Sequence, residues 1–437
     1  MTALWMFPAL IAAILTGFPV AFVMLALAFL FGWSTFGPAL QYQLILKLDD
    51  VASANVLAAV PLFIFMGAMF EQSGIALRLF DAVHMWTRRI PGGVAIGTVL
   101  MCVIFAATSG VIGATETVVG LLAIPAMLKH AYNKGLICGT ICAGGSLGTI
   151  IPPSVLAVVI GPVANTSVGD VLVGMIIPGL MLASSYVIYI CLRCWLRPQD
   201  GPRPPAPLDA PGLAEKLLTT ATVLVPPLII IVAVLGSVLV GLATPTEAAA
   251  TGAMGTLLLT LAYGRLTAGV LWDALLRTVR VSAMILTILV AGSMFAAVFV
   301  ASGGLSAINT LLAAADLGPI GTLALILVLA FCAGFMLDPL VIILIIVPIA
   351  SPIIKGLGFD LVWLCVVFLV VLQTAYLTPP MAPSIFYLRG IAPPEIDLRH
   401  MYTGIWPFIT LQVLVAALVM TFPQTVLWLP TVMQGVR

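Results

Sequence analysis

The hydrophobic positions of this chain fall into long apolar stretches parted by short polar breaks, without the strict alternation of half-buried strands. The breaks leave segments near 3–36, 51–76, 77–90, 94–128, 136–160, 171–195, 217–264, 270–300, 303–316, 320–354, 361–388 and 402–430. A helix of about 20 apolar residues crosses a bilayer, so stretches such as 217–243 and 361–388 are long enough to span, and 217–264 holds two passes. A transmembrane β-barrel would need short alternating segments, which are absent.

The pattern is stated twice. Gly17-Phe18-Pro19 is answered by Gly241 and Pro245, and Met69-Phe70 by Met294-Phe295. Ile90-Pro91-Gly92 is answered by Leu317-Gly318-Pro319, and Ile124-Pro125 by Val347-Pro348. Thr149-Ile150-Ile151-Pro152-Pro153-Ser154 is answered by Thr378-Pro379-Pro380 with Pro383-Ser384. Taken on matching residues, the separations lie between 223 and 228. Pro/Gly-interrupted apolar segments at corresponding positions of two halves are the sequence pointer to a secondary transporter with a midplane site.

Composition agrees. The 437 residues are 62% apolar and 8% charged, with a mean hydropathy of +1.24, against about 25% charged in soluble domains. Trp406 and Trp428, 22 residues apart, bracket the last segment as interface anchors would. The net charge of +1 gives no footprint for nucleic acid. Met1 to Phe7 has no basic n-region, so the first segment is expected to be retained. Cys191-Leu192-Arg193-Cys194 is a single CxxC without a second pair, read as small apolar filler. There is no HExxH and no Walker A sequence, so neither zinc proteolysis nor direct use of ATP is supported, and an enzyme is not expected.

Charge sets the topology. Lys and Arg gather on one set of loops: Arg78, Arg88, Arg89; Lys129, Lys134; Arg193, Arg197, Arg203, Lys216; Arg265, Arg277, Arg280; Arg389 and Arg399. By the positive-inside rule these are cytoplasmic. The short amphipathic segment 77–90 carries three Arg and its counterpart 303–316 none, so corresponding elements lie on opposite sides and the repeat is inverted. Segment 94–128 starts and ends on the cytoplasmic side, which makes it a re-entrant hairpin with its tip near Thr108-Ser109-Gly110. Its counterpart 320–354 enters from the other side, with its tip near Gly334 to Pro339. The organisation expected is a first repeat over 1–195, a Pro-rich cytoplasmic linker over 196–216 and a second repeat over 217–437, with broken helices at 136–160 and 361–388. The linker's prolines predict a stiff connector.

Proline cannot donate a backbone hydrogen bond and its ring clashes with the preceding turn. Helices therefore break at Pro152-Pro153 and Pro379-Pro380, freeing carbonyls before each break and amides after it. Freed carbonyls with Ser and Thr hydroxyls offer hard oxygens to a small cation, while amides at a new helix N-terminus favour an anion such as a carboxylate. Substrate is expected at Ser146, Pro152, Pro153, Ser154, Pro379 and Pro380. Asp338-Pro339 reads both as a helix start, with Asp as cap, and as a functional intramembrane carboxylate. Glu116 is a weaker case of the same kind, and Thr244-Pro245-Thr246-Glu247 reads as a capping box.

The stretches Gly144 to Ser154, Gly174 to Gly179, Ala243 to Ala250 and Phe335 to Pro339 with Val347-Pro348 together resemble the large membrane subunit of tripartite ATP-independent periplasmic (TRAP) transporters. The resemblance covers nearly the whole chain. It implies an all-α polytopic membrane protein of two inverted repeats, the elevator-type fold of the ion-transporter superfamily, in a bacterial inner membrane. It implies sodium (Na+) as coupling ion, uptake of organic acids, a small four-helix membrane subunit and a periplasmic substrate-binding protein. Carried onto this sequence, a first sodium site falls among Thr108, Ser109, Gly110, Gly148 and Thr149, and a second among Gly334, Met336, Asp338, Thr374 and Thr378. The arms 77–90 and 303–316 would flank the moving domain. A stand-alone ion-coupled dicarboxylate-type carrier is the alternative, and a channel or membrane scaffold the remaining one.

Overall fold

The computed structural model describes residues 2–110, 112–204 and 212–434, so the linker expectation for 205–211 and the hairpin-tip residue Val111 lie outside the described residues. It is all-helical, with no strand among the described residues. The first half runs α1 (Met6–Ile14), α2 (Val20–Phe36), α3 (Leu40–Ala52), α4 (Ala59–Gln72), α5 (Ile75–Thr87), α6 (Gly93–Ser109), α7 (Ile112–Lys129), α8 (Lys134–Ser146), α9 (Val155–Val163), α10 (Val168–Gly174) and α11 (Ile176–Leu196). The second half runs α12 (Leu213–Val223), α13 (Val225–Leu239), α14 (Pro245–Ala262), α15 (Ala268–Ala301), α16 (Gly304–Ala315), α17 (Gly318–Ala333), α18 (Pro339–Gly356), α19 (Leu361–Leu377), α20 (Pro383–Ile391), α21 (Leu398–Thr421) and α22 (Gln424–Gln434).

Among the described residues, six helices are long and apolar enough to cross a membrane, or seven if the pair α12–α13, bent by 42°, counts as one span. The helices α6, α17 and α19 fall just short, at 17, 16 and 17 residues. At 1.5 Å per residue these are about 25 Å long, less than the roughly 30 Å hydrocarbon core. Each is too short to cross alone and leads into a turn, at Gly110, Gly334 or Thr378. The chain is an all-α membrane protein of two inverted repeats, each with a helical hairpin (α6–α7, α17–α18) and a broken helix (α8–α9, α19–α20).

Contacts at the two faces show the inversion. On one face the Arg78 guanidinium lies 5.4 Å from the centre of the Tyr263 ring, and Gly74 faces Arg265. Arg277 on α15 pairs with Glu71 on α4 at the same level. On the other face Thr35 bonds Ser302 at 2.7 Å and Thr246 donates to the Asn55 carbonyl at 3.1 Å. Each arm is entered through a left-handed glycine, Gly74 (φ 69°) before α5 and Gly303 (φ 80°) before α16. A side chain there would strain the backbone. The arm α5 carries the arginines, and α16 packs on Thr2–Trp5 at the opposite face.

One reading needs correction, and two segments carry a break inside them. Trp406 and Trp428 do not bracket one helix, because the chain breaks at Phe422-Pro423 and Trp428 sits on α22. Segment 51–76 does not run as one helix: α4 begins at Ala59 after a break at Ser53-Ala54, where its repeat counterpart α15 is continuous over 34 residues. Segment 171–195 is likewise parted at Met175, between α10 and α11. The capping box at Thr244 and Glu247 is present, with the Glu247 carboxylate accepting from the Thr244 amide at 2.8 Å.

Candidate functional site

The tip of the first hairpin is seated on the first break. A Cβ on Gly110 would stand 3.0 Å from the Pro153 carbonyl oxygen and 3.6 Å from the Ser154 Cα, so only glycine allows this approach. The α6 arm, which ends at Thr108 and Ser109, also touches the single turn Leu147–Thr149. Thr108 and Ser109 donate to carbonyls of their own helix, at 3.1 Å and 2.8 Å to Phe105, and keep oxygen lone pairs for a ligand. Ser154 is fully buried and its hydroxyl has no protein partner. A buried hydroxyl without a partner is rare, and with these oxygens it makes a donor set that suits a hard cation.

The second hairpin sits differently. A Cβ on Gly334 would meet the Ala375 Cβ, which sets the tip against the end of α19. Asp338 caps α18 by accepting from the Leu340 amide at 2.9 Å. A cavity of about 330 Å³ opens here, lined among others by Gly334, Met336, Asp338, Tyr376, Met381 and Tyr387. Thr374 and Thr378 are not among its lining residues; their hydroxyls donate back to Val370 and Thr374 at 2.9 and 2.6 Å. The Pro152–Pro153 and Pro379–Pro380 bonds are both cis. Pro152, Pro153 and Ser154 are buried, with Pro152 at an apolar cavity against α13, whereas Pro379 is partly buried and Pro380 exposed. The two halves of the site are therefore alike in chain path and unlike in access.

What joins them is a polar network that sequence reasoning missed. Gln373 on α19 donates to the Ser146 hydroxyl at 3.2 Å and accepts from Thr149 at 3.1 Å. Gln412 on α21 donates to the same Ser146 hydroxyl at 3.2 Å and to the Tyr186 hydroxyl at 2.8 Å. Ser146 and Gln373 are 227 residues apart, the same separation as the two proline breaks. They are repeat counterparts meeting near the pseudo-two-fold axis. Gln412, set within the apolar run of α21, was the available signal, since polar residues inside membrane helices face the protein interior.

The paired hairpins, the paired breaks and their meeting near one axis define a secondary transporter of inverted repeats. Residues 7–425 match the family "Tripartite ATP-independent periplasmic transporter, DctM component". The chain belongs to this family, the large permease component of TRAP transporters. It is 31% identical to the C4-dicarboxylate TRAP transporter large permease protein of Pseudomonas aeruginosa, over 82% of each chain. It is 29% identical to the ectoine/5-hydroxyectoine permease of Ruegeria pomeroyi over 97% of each, and 28% identical to the sialic acid permease of Vibrio cholerae over 96% of each. The crystal structure of the YdaH transporter of Alcanivorax borkumensis shares the fold, with a TM-score of 0.64 at 17% identity over 88% of each chain.

Proposed function

We propose that this permease imports a small organic acid with sodium across a bacterial inner membrane. A periplasmic binding protein delivers the acid, and a small four-helix membrane subunit supports the scaffold. The observation that carries the reading is the seating of the hydroxyl-bearing tip Thr108-Ser109-Gly110 on the break at Pro153-Ser154, bridged by Gln373 to the second broken helix. Sodium held among Thr108, Ser109, Gly110, Gly148 and Thr149 orders the first tip. A second ion among Gly334, Met336, Asp338, Thr374 and Thr378 orders the other. The ordered tips then present helix N-termini to a carboxylate. The similar permeases carry C4-dicarboxylates, ectoines and sialic acid by name, and an acid group is common to these substrates. The hairpins and broken helices move as one body against α2, α4, α14 and α15, an elevator motion.

The test is uptake into proteoliposomes holding the permease, its small subunit and its binding protein. Uptake is expected to need a sodium gradient. Thr149→Val or Thr378→Val is expected to raise the half-saturating sodium concentration about tenfold, roughly 1.4 kcal/mol. Equal uptake in potassium would overturn the sodium reading, and uptake of free substrate without the binding protein would favour a stand-alone carrier.

A further inference from the structure

Glu116, on the second arm of the first hairpin, is fully buried. One carboxyl oxygen bonds the Ser384 hydroxyl on α20 at 2.5 Å, and the other has no partner. The ion pairs of the described residues are Lys47–Asp50, Arg193–Asp200 and Arg277–Glu71, so none neutralises it. An ionised carboxylate with one hydrogen bond and no counter-ion is unstable in a low-dielectric interior. Its charge must be removed by a cation or a proton. The surroundings decide between them. The carboxylate stem lies over Gly145, where a Cβ would come within 1.9 Å of its Cγ, and Cys102 covers the adjacent Gly144. Cys142 and Cys138 on α8, Tyr376 on α19 and Tyr387 on α20 are the other titratable groups facing this cluster. Asp338 of the second hairpin is felt by the same two tyrosines. Asp81, His84, Arg88 and His130 gather around Ala126, about 15 Å further along α7. Two thiols and a glycine lie against the carboxyl, and the Ser384 and tyrosine hydroxyls that remain are fewer hard oxygens than a sodium shell takes. A proton needs none.

There is also a way in. Tyr376 and Tyr387 line the cavity at the second hairpin. The Tyr387 ring packs on Gly113, one turn from Glu116, and the buried Tyr376 hydroxyl has no partner. We propose that Glu116 is a proton-binding site: as the neutral acid it fastens the first hairpin to α20 through Ser384. Loss of that proton to cavity water leaves a carboxylate that keeps the Ser384 bond but must be hydrated, and the water it draws in opens the packing of the first hairpin on α20. Proton and carboxylate balance as acid dissociation, with Tyr376 and Tyr387 between Glu116 and the cavity. The inference needs neither sodium nor a known substrate, so it fails separately from the transport reading.

The experiment is infrared spectroscopy of the full chain in liposomes, joined to hydrogen exchange. Wild type is expected to show at neutral pH a protonated carboxylic C=O band that E116Q lacks. In S384A the band persists and moves to higher frequency, because its hydrogen bond is gone. As pH rises the band fades, and exchange in residues 383–391 rises at least tenfold over that of E116Q at the same pH. A missing acid band at neutral pH, an unmoved band in S384A, or exchange in 383–391 that follows E116Q throughout would each overturn the proposal.

Discussion

Ser146 joins three helices through one buried hydroxyl, which serves the amides of Gln373 and Gln412. Ser146→Ala leaves both amides without that acceptor. Hydrogen bonds between membrane helices are worth about 0.6–1.7 kcal/mol, so the variant should lose about 1–2 kcal/mol in reversible unfolding, in line with the cost of unsatisfied buried donors. A double-mutant cycle with Gln373→Leu should return a coupling of the same size; additivity would show that the contact is idle. The sequence marks Ser146 and Thr149 through their nearness to Pro152, but not what they face. Gln373 lies in a legible motif, whereas Gln412 and Tyr186 are distant in sequence and only packing brings them in. The Asp338 cap was legible because it is a local matter of Asp followed by Pro.

Between elements, α8 and α21 meet backbone to backbone. A Cβ on Gly404 would stand 2.1 Å from the Gly135 carbonyl oxygen, and one on Gly139 2.2 Å from that of Gly404. Backbone cannot yield as a flexible side chain does, so Gly404→Ala should cost about 1–3 kcal/mol or more and appear as a lower unfolding midpoint. The linker is fastened by Asp200, whose carboxylate takes the Arg193 Nε at 2.9 Å and whose carbonyl takes the Asn133 amide at 3.0 Å. Asp200→Asn weakens a half-buried charged hydrogen bond of about 1.5–3 kcal/mol. Amide exchange over residues 197–203 should then run several-fold faster than in wild type, and an unchanged rate would show that the backbone bonds suffice. Proline pairs revealed the broken helices, because proline acts on its own backbone, and the basic residues at both ends of 94–128 revealed the first hairpin. The interruption at Met175 has no such marker, and hydropathy runs through it, whereas Ser53-Ala54 closes the polar stretch that holds Lys47, Asp49 and Asp50.

Across the whole molecule, two scaffold glycines 225 residues apart, Gly67 on α4 and Gly292 on α15, each touch a hairpin. A Cβ would stand 2.7 Å from Ser109 Cα in the first case and 2.6 Å from Leu344 Cβ in the second. If the hairpins travel past these points, Gly67→Ala should slow uptake at least tenfold while leaving the fold intact by circular dichroism. Wild-type uptake by this variant would separate the contact from the motion. The inverted architecture was legible because three arginines on 77–90 and none on 303–316 set equivalent elements on opposite sides. The unequal access of the two breaks was not, since both read as Thr before Pro-Pro.

The central claim is that sodium binds at the two hairpin tips. Thermal unfolding of the purified permease in sodium against potassium at equal ionic strength tests it without substrate or partner. A ligand at tenfold its dissociation constant stabilises the folded state by about 1.4 kcal/mol per site. The midpoint should therefore rise with sodium, and less in Thr149→Val and Thr378→Val. Identical curves in sodium and potassium would contradict the account.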